Sequence, residues 1–225
     1  MQLKSGTQHW GSAAKFFHWT IVLLILVQGT VGLIMVDMPK RPAVIPWYNF
    51  HKSVGLTILA LAVLRLLWRA FDQRPAEPPD MPHWQALGAR AGHALLYVLL
   101  FLVPLSGWWF DSVSSLRPLY WFGLIHVPPL GGPDPSLPDL KEVARGRHEF
   151  LFWTLVVVAS GHALMALVHQ FVHRNNVLGR MWPASLQPRP KPVPLPEISH
   201  APDPAPAVSA PAVSAPVDPN QRDGA

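Results

Sequence analysis

Four stretches, Phe16–Val36, Val54–Phe71, Ala91–Phe110 and Phe150–Val172, are each apolar over close to the roughly 20 residues a helix needs to cross a bilayer core. In lipid a helix satisfies its own backbone donors and acceptors, so runs of this length and composition read as membrane-spanning helices. Only 14% of the 225 residues are charged, too few to clothe a water-exposed surface of this size. The predicted fold class is all-α, an integral membrane four-helix bundle.

Lys4 and Lys15 precede the first run, as the basic region of a signal peptide would. The run stays apolar for 21 residues without a small-residue cleavage site, however, and reads as a retained helix. The connections hold the residues that spanning helices avoid: Asp37-Met-Pro39 to Pro46, Gln73 to Pro82, and a Pro- and Gly-rich stretch from Arg117 to Asp139. Trp19, Trp47, Trp68, Trp108, Trp109 and Trp153 cluster at the ends of the runs, where an aromatic belt belongs. A cytoplasmic N-terminus places 11 of the 18 Lys and Arg residues inside, so both termini are predicted to be cytoplasmic. After the membrane domain, residues 1–183, comes a Pro/Ala/Val/Ser tract over 184–225 with too little apolar content to repay ordering; it is predicted to be a disordered C-terminal tail.

Cysteine is absent, which excludes disulfides, thiolate metal sites and covalent haem attachment through Cys. The net charge of +5 lies between apolar runs, where membrane topology explains it, so no nucleic-acid partner is expected.

The chemistry then rests on histidine. Six of the eleven, His18, His51, His93, His148, His162 and His169, lie within or at the ends of the runs, where a titratable side chain is costly and by default functional. His148 and His162 are 14 residues apart, close to four turns, so they share a face about 21 Å apart along the axis. In an up-down bundle His18 starts the first helix at one side of the membrane, and His51 starts the second at the other. Two same-depth pairs result, His18 with His162 and His51 with His148, whichever way the bundle is oriented.

Two imidazoles facing each other across a bundle form the axial ligand set of a b-type haem. With both axial positions filled, such an iron transfers electrons rather than binding oxygen. A single membrane histidine is ordinarily a satisfied polar residue between helices, yet that reading does not predict two depth-matched pairs. A His-dependent metal or proton transporter is the rival from another class; it would normally add intramembrane carboxylates, and here only Glu149 and Asp111 occur, at helix ends. His93 and His169 fall near the His18 end, with structural packing as ready a reading as function. His9, His83, His126, His173 and His200 are assigned no role. Gly55, Gly92, Gly107 and Gly161 would let a macrocycle or a neighbouring helix approach closely. Arg65 and Arg69 suit haem propionates or simple snorkelling.

These residues resemble the bacterial cytochrome b-561 family of four-helix, di-haem membrane proteins. The matching pieces are Phe17-His18-Trp19, His51-Lys52-Ser53-Val54-Gly55, Leu64-Arg65-Leu66-Leu67-Trp68-Arg69 and Gly92-His93-Ala94-Leu95-Leu96-Tyr97. Further on come Arg147-His148-Glu149, Gly161-His162-Ala163 and the ending His169 to Pro183. The resemblance implies two non-covalent haem b groups with iron ligated by His18, His51, His148 and His162, in a bacterial inner-membrane protein. It implies electron transfer between a periplasmic-side donor and the quinone pool; one branch of the family oxidises superoxide, and other members serve a periplasmic redox protein. Quinone contacts would fall near Lys15, His93 or His169. Lys40, Arg41, Lys52, Lys141, Arg145 and Arg147 would form a basic mouth over the periplasmic haem, with Lys52 and Arg147 nearest an incoming anion. A solvated loop balanced by Asp139, Glu142 and Glu149 is the plainer account of those charges.

Overall fold

The computed structural model describes residues 2–7, 9–39, 41–76, 82–114, 117–173 and 177–182. The predicted tail at 184–225 lies outside the described residues, as does Lys40. Four long helices follow one another: α1 (Ser12–Asp37), α2 (Ile45–Phe71), α3 (His83–Ser114) and α4 (Leu140–Phe171), each long and apolar enough to cross a membrane. A short α5 (Val177–Met181) follows α4. At about 1.5 Å per residue, even the 26-residue α1 exceeds the roughly 30 Å hydrocarbon core.

The helices outrun the apolar stretches that announce them, and the first connection ends before Pro46, which was expected to lie in it. A 3-10 turn (Pro42–Val44) leads into α2, and Pro46 sits in the first turn of that helix, where its missing N–H is no loss. The second connection falls where expected, between the end of α2 at Phe71 and the start of α3 at His83. The third connection is also more than loop: β1 (Leu119–Trp121) and β2 (Ile125–Val127) pair antiparallel, Trp121 opposite Ile125. This hairpin is fastened to α2. The Ser53 hydroxyl, 1% exposed, accepts a hydrogen bond from the Phe122 N–H at 2.9 Å, and Trp121 Nε1 donates to Thr57 Oγ1 at 3.1 Å.

Packing runs α1 on α2, α2 on α3 and α3 on α4. Ile21, Val54, Ile58, Ala62 and Leu100 form a buried cluster joining α1, α2 and α3. Ile21 lies one turn beyond His18 and Val54 one turn beyond His51, so this apolar layer separates the two histidine levels. Elsewhere the large apolar side chains face outward, Leu23, Leu26, Leu64, Val157 and Leu164 among them. That arrangement suits lipid, in which helix association depends on close packing rather than on burial from water.

The segments before α1 and at α5 are tied down at the end opposite the hairpin. Asp72, just past α2, accepts from the Ser5 N–H at 2.8 Å and from the Ser5 hydroxyl at 2.6 Å. Trp19 Nε1 on α1 donates to the Met181 carbonyl at 3.0 Å, and Arg180 Nη2 donates to that of Ala76 at 2.7 Å.

Candidate functional site

At the hairpin end, α2 and α4 bring the rings of His51 and His148 opposite each other, centroids 6.3 Å apart and planes at 89°. The gap admits one metal ion with metal–imidazole bonds of roughly 2 Å on each side.

Each ring is held from behind by the absence of a side chain. A Cβ at Gly107 on α3 would stand 3.0 Å from His148 Cε1, and one at Gly32 on α1 would stand 3.1 Å from His51 Cε1. Glycine therefore lets two neighbouring helices back the two imidazoles. His148 Nδ1 lies 3.1 Å from the Val103 carbonyl and 3.0 Å from Ser106 Oγ. A carbonyl only accepts, so Nδ1 carries the proton and Nε2 keeps its lone pair, the form in which imidazole ligates metal. Nδ1 of His51 is buried without a hydrogen-bond partner among the described residues, while its backbone carbonyl accepts from Gln28 Nε2 at 2.6 Å. Two imidazoles, each in a glycine-backed cradle and one with its Nδ1 proton held by a carbonyl, are a donor set that fits haem iron.

At the other end, α1, α2, α3 and α4 supply His18, Arg65, His93 with Tyr97, and His162. His18 is within electrostatic reach of both His162 and His93. His93 and His162 stand edge to face with centroids 4.9 Å apart, and His93 Nδ1 donates to the Ala89 carbonyl at 2.6 Å. Arg65 bridges the level: Nη1 is 3.1 Å from His18 Nδ1, and Nε donates to the Tyr97 hydroxyl at 3.1 Å. Guanidinium only donates, so His18 Nδ1 accepts here and its proton sits on Nε2. Ligation through Nε2 of His18 requires Arg65 to move aside. Arg69 joins Arg65 against the Tyr97 ring, each guanidinium carbon 5.6 Å from its centroid.

The remaining expected contacts are dispersed. Lys15 is half-buried on α1, and His169 is buried with its ring 5.2 Å from that of His173. Of the basic mouth, Lys52 is paired with Asp111 on α3, Arg145 lies 3.1 Å from Glu142, and Arg147 rests over the Trp109 ring. Gly55 backs Gln28 rather than a histidine, and Gly92 and Gly161 meet nothing within 4 Å of an added Cβ. Gly32, Val103 and Ser106 escaped the sequence reading. Gly107 did not, although only the structure shows which ring it backs.

The family profile described as prokaryotic cytochrome b561 matches residues 9–184. The chain belongs to the prokaryotic cytochrome b561 family. Membership in this cytochrome b561 family implies haem b binding in an integral membrane protein of electron transport. Among curated relatives, cytochrome b561 homolog 2 of Escherichia coli (strain K12) is 30% identical over 185 residues, covering 80% of this chain and 95% of that protein. A Yersinia pestis protein named probable superoxide oxidase CybB is 29% identical over 170 residues, 74% of this chain and 91% of its own. Cytochrome b561 homolog 1 of Escherichia coli (strain K12) is 24% identical, over 75% and 93% of the two chains.

Proposed function

We propose that this cytochrome b561 family member carries electrons across the membrane between a periplasmic-side donor and the quinone pool, holding two haem b groups one above the other. His51 with His148 would hold the haem near the hairpin, and His18 with His162 the haem at the opposite end of the bundle. The carrying observation is the 6.3 Å separation of the His51 and His148 rings, with the proton of His148 placed on the nitrogen that faces away from a ligated metal. Among the described residues no three His, Cys, Asp or Glu side chains converge on one point, which disfavours a bare metal needing three or four protein ligands and supports an iron whose equatorial ligands come from a macrocycle.

Bound between paired imidazoles, haem supplies one-electron oxidation and reduction without an open coordination position. The chain's own residues do the rest. Gly32 and Gly107 admit the rings, Val103 and Ser106 orient His148, and the Ile21–Val54–Ile58–Leu100 layer keeps water from the space between levels. At the other end His18 would hold the group only with its Nδ1 freed from Arg65, whose charge would then suit a propionate. Lys15, His93 and His169 lie at that end, where a quinone would collect electrons and protons.

The Yersinia relative's name supports superoxide as the donor. Two superoxide anions would each give up one electron and leave as dioxygen, while one quinone takes both electrons with two protons. A second reading, service to a periplasmic redox protein, draws support from the charge pattern: Lys52 and Arg145 are already ion-paired, which weakens steering of a small anion. Stopped-flow mixing of the oxidised, haem-loaded protein with superoxide at rising ionic strength separates the two. Fast haem reduction that slows with salt supports superoxide oxidation; no reduction, with electrons accepted instead from quinol or a redox protein, supports the partner-serving role.

A further inference from the structure

The segment Val103-Pro104-Leu105-Ser106-Gly107 of α3 offers the His148 imidazole three things at once. The Val103 carbonyl lies 3.1 Å from Nδ1, and the Ser106 hydroxyl lies 3.0 Å from the same atom. Gly107 leaves room for the ring, since a Cβ there would sit 3.0 Å from Cε1 and 3.6 Å from Nε2. Ser106 Oγ donates its own proton to the Val103 carbonyl at 2.7 Å, so its oxygen is left to accept from His148. The Nδ1 proton is therefore shared between two acceptors that are themselves hydrogen-bonded. The facing ring is treated differently: His51 Nδ1 is buried with no hydrogen-bond partner among the described residues.

We propose that Ser106 is a positioning residue that makes His148 the electron-rich member of its pair and thereby lowers the reduction potential of the haem at that level. The inference rests on His51 and His148 being the ligands there. Hydrogen bonding from Nδ1–H moves negative charge onto the ring and raises its basicity as a ligand. A more basic imidazole stabilises the ferric over the ferrous iron. Loss of the hydroxyl takes away one of two acceptors, leaving the Val103 carbonyl to hold the tautomer, so the potential rises while ligation persists. The haem held by His18 and His162 does not sense the change and serves as an internal reference.

The test is redox titration of the purified haem-loaded protein by visible spectroscopy, comparing wild type with Ser106→Ala, Ser106→Cys and Ser106→Thr. A hydrogen bond of about 0.5–1.5 kcal/mol corresponds to a roughly two- to twelvefold change in the oxidised-to-reduced ratio at fixed ambient potential, in one haem only. Ser106→Ala should shift that haem upward, Ser106→Cys, with its weaker acceptor, by less, and Ser106→Thr, which keeps the hydroxyl, scarcely at all. If the alanine variant sheds the haem, the Cys and Thr variants still carry the comparison. Two haems present with unchanged midpoints across the series would overturn the role of Ser106 while leaving the haem assignment standing. A shift in the other haem would overturn it equally. A wild-type protein without haem would instead sink the assignment on which the inference rests.

Discussion

His51 on α2 and His148 on α4 face each other at 6.3 Å with their ring planes nearly perpendicular, although 97 positions separate them in the chain. Nothing local in sequence brings them together. They meet because α2 and α4 both start at the hairpin end of the bundle, and each carries its histidine within the first turns. If these rings are the ligands of one haem, replacing either removes that haem and spares the other. His51→Ala or His148→Ala should therefore retain about half the haem of the wild type, as should His18→Ala or His162→Ala, with the two sets losing spectrally different components. Haem quantification with difference spectra of the four variants checks this; loss of the same component from His18→Ala and His51→Ala would contradict it.

Glycine provides a sharper probe of the same geometry. An alanine at position 107 or 32 would press on the ring of His148 or His51 from 3.0 and 3.1 Å, tighter than ordinary contact, so the ring or its helix must shift. Gly107→Ala and Gly32→Ala should cost about 1–3 kcal/mol through overpacking and lower retention of the haem at the hairpin end. Gly92→Ala and Gly161→Ala, which meet nothing within 4 Å, should retain both haems. Haem content after prolonged detergent incubation measures the contrast, and equal loss from all four variants would defeat it.

How far the sequence reaches is visible in these same residues. The long apolar runs and their turn-rich connections announce four helices and their alternation, and alternation alone places His51 and His148 at one level. It does not reveal that the helices extend well beyond the runs. Their polar first and last turns, such as Leu140–Glu149 in α4, carry no hydropathy signal although they remain helical. The hairpin is equally hidden, because three-residue strands are too short for alternation to register and are held by Ser53 and Thr57 from a distant helix. Gly32 and Ser106 are silent for a related reason. Small residues are common in any membrane helix, and only tertiary placement distinguishes one behind a histidine from one facing lipid. Lys52 looked like part of a basic mouth because its partner, Asp111, lies one helix away.

The tie between the N-terminal segment and the end of α2 carries a pH dependence. Partial burial acts to raise the Asp72 pKa, but hydrogen bonds from the Ser5 hydroxyl and N–H outweigh it and hold the carboxyl below its ordinary value of 3.8. A depressed folded-state pKa means that the tie is fully present above pH 3.8 and is lost as pH falls through the lower folded value. The amide shift of Ser5, followed by NMR in detergent, should titrate with a midpoint below 3.8, and in Asp72→Asn that titration should disappear. At neutral pH the variant should also be cleaved faster by trypsin at Lys4. A midpoint at or above 3.8 would show that the ionised carboxylate is not what Ser5 holds.

The central claim is that two iron centres, each closed by a pair of histidines, lie one above the other in one chain. Haem quantification by pyridine haemochrome, combined with reduced spectra recorded before and after carbon monoxide, tests it in a single purified sample. The account predicts two haem b per chain and sharp low-spin bands that carbon monoxide leaves unchanged, because neither iron keeps a free position. One haem or none per chain, or a carbon monoxide spectrum shifted from the reduced one, would contradict it.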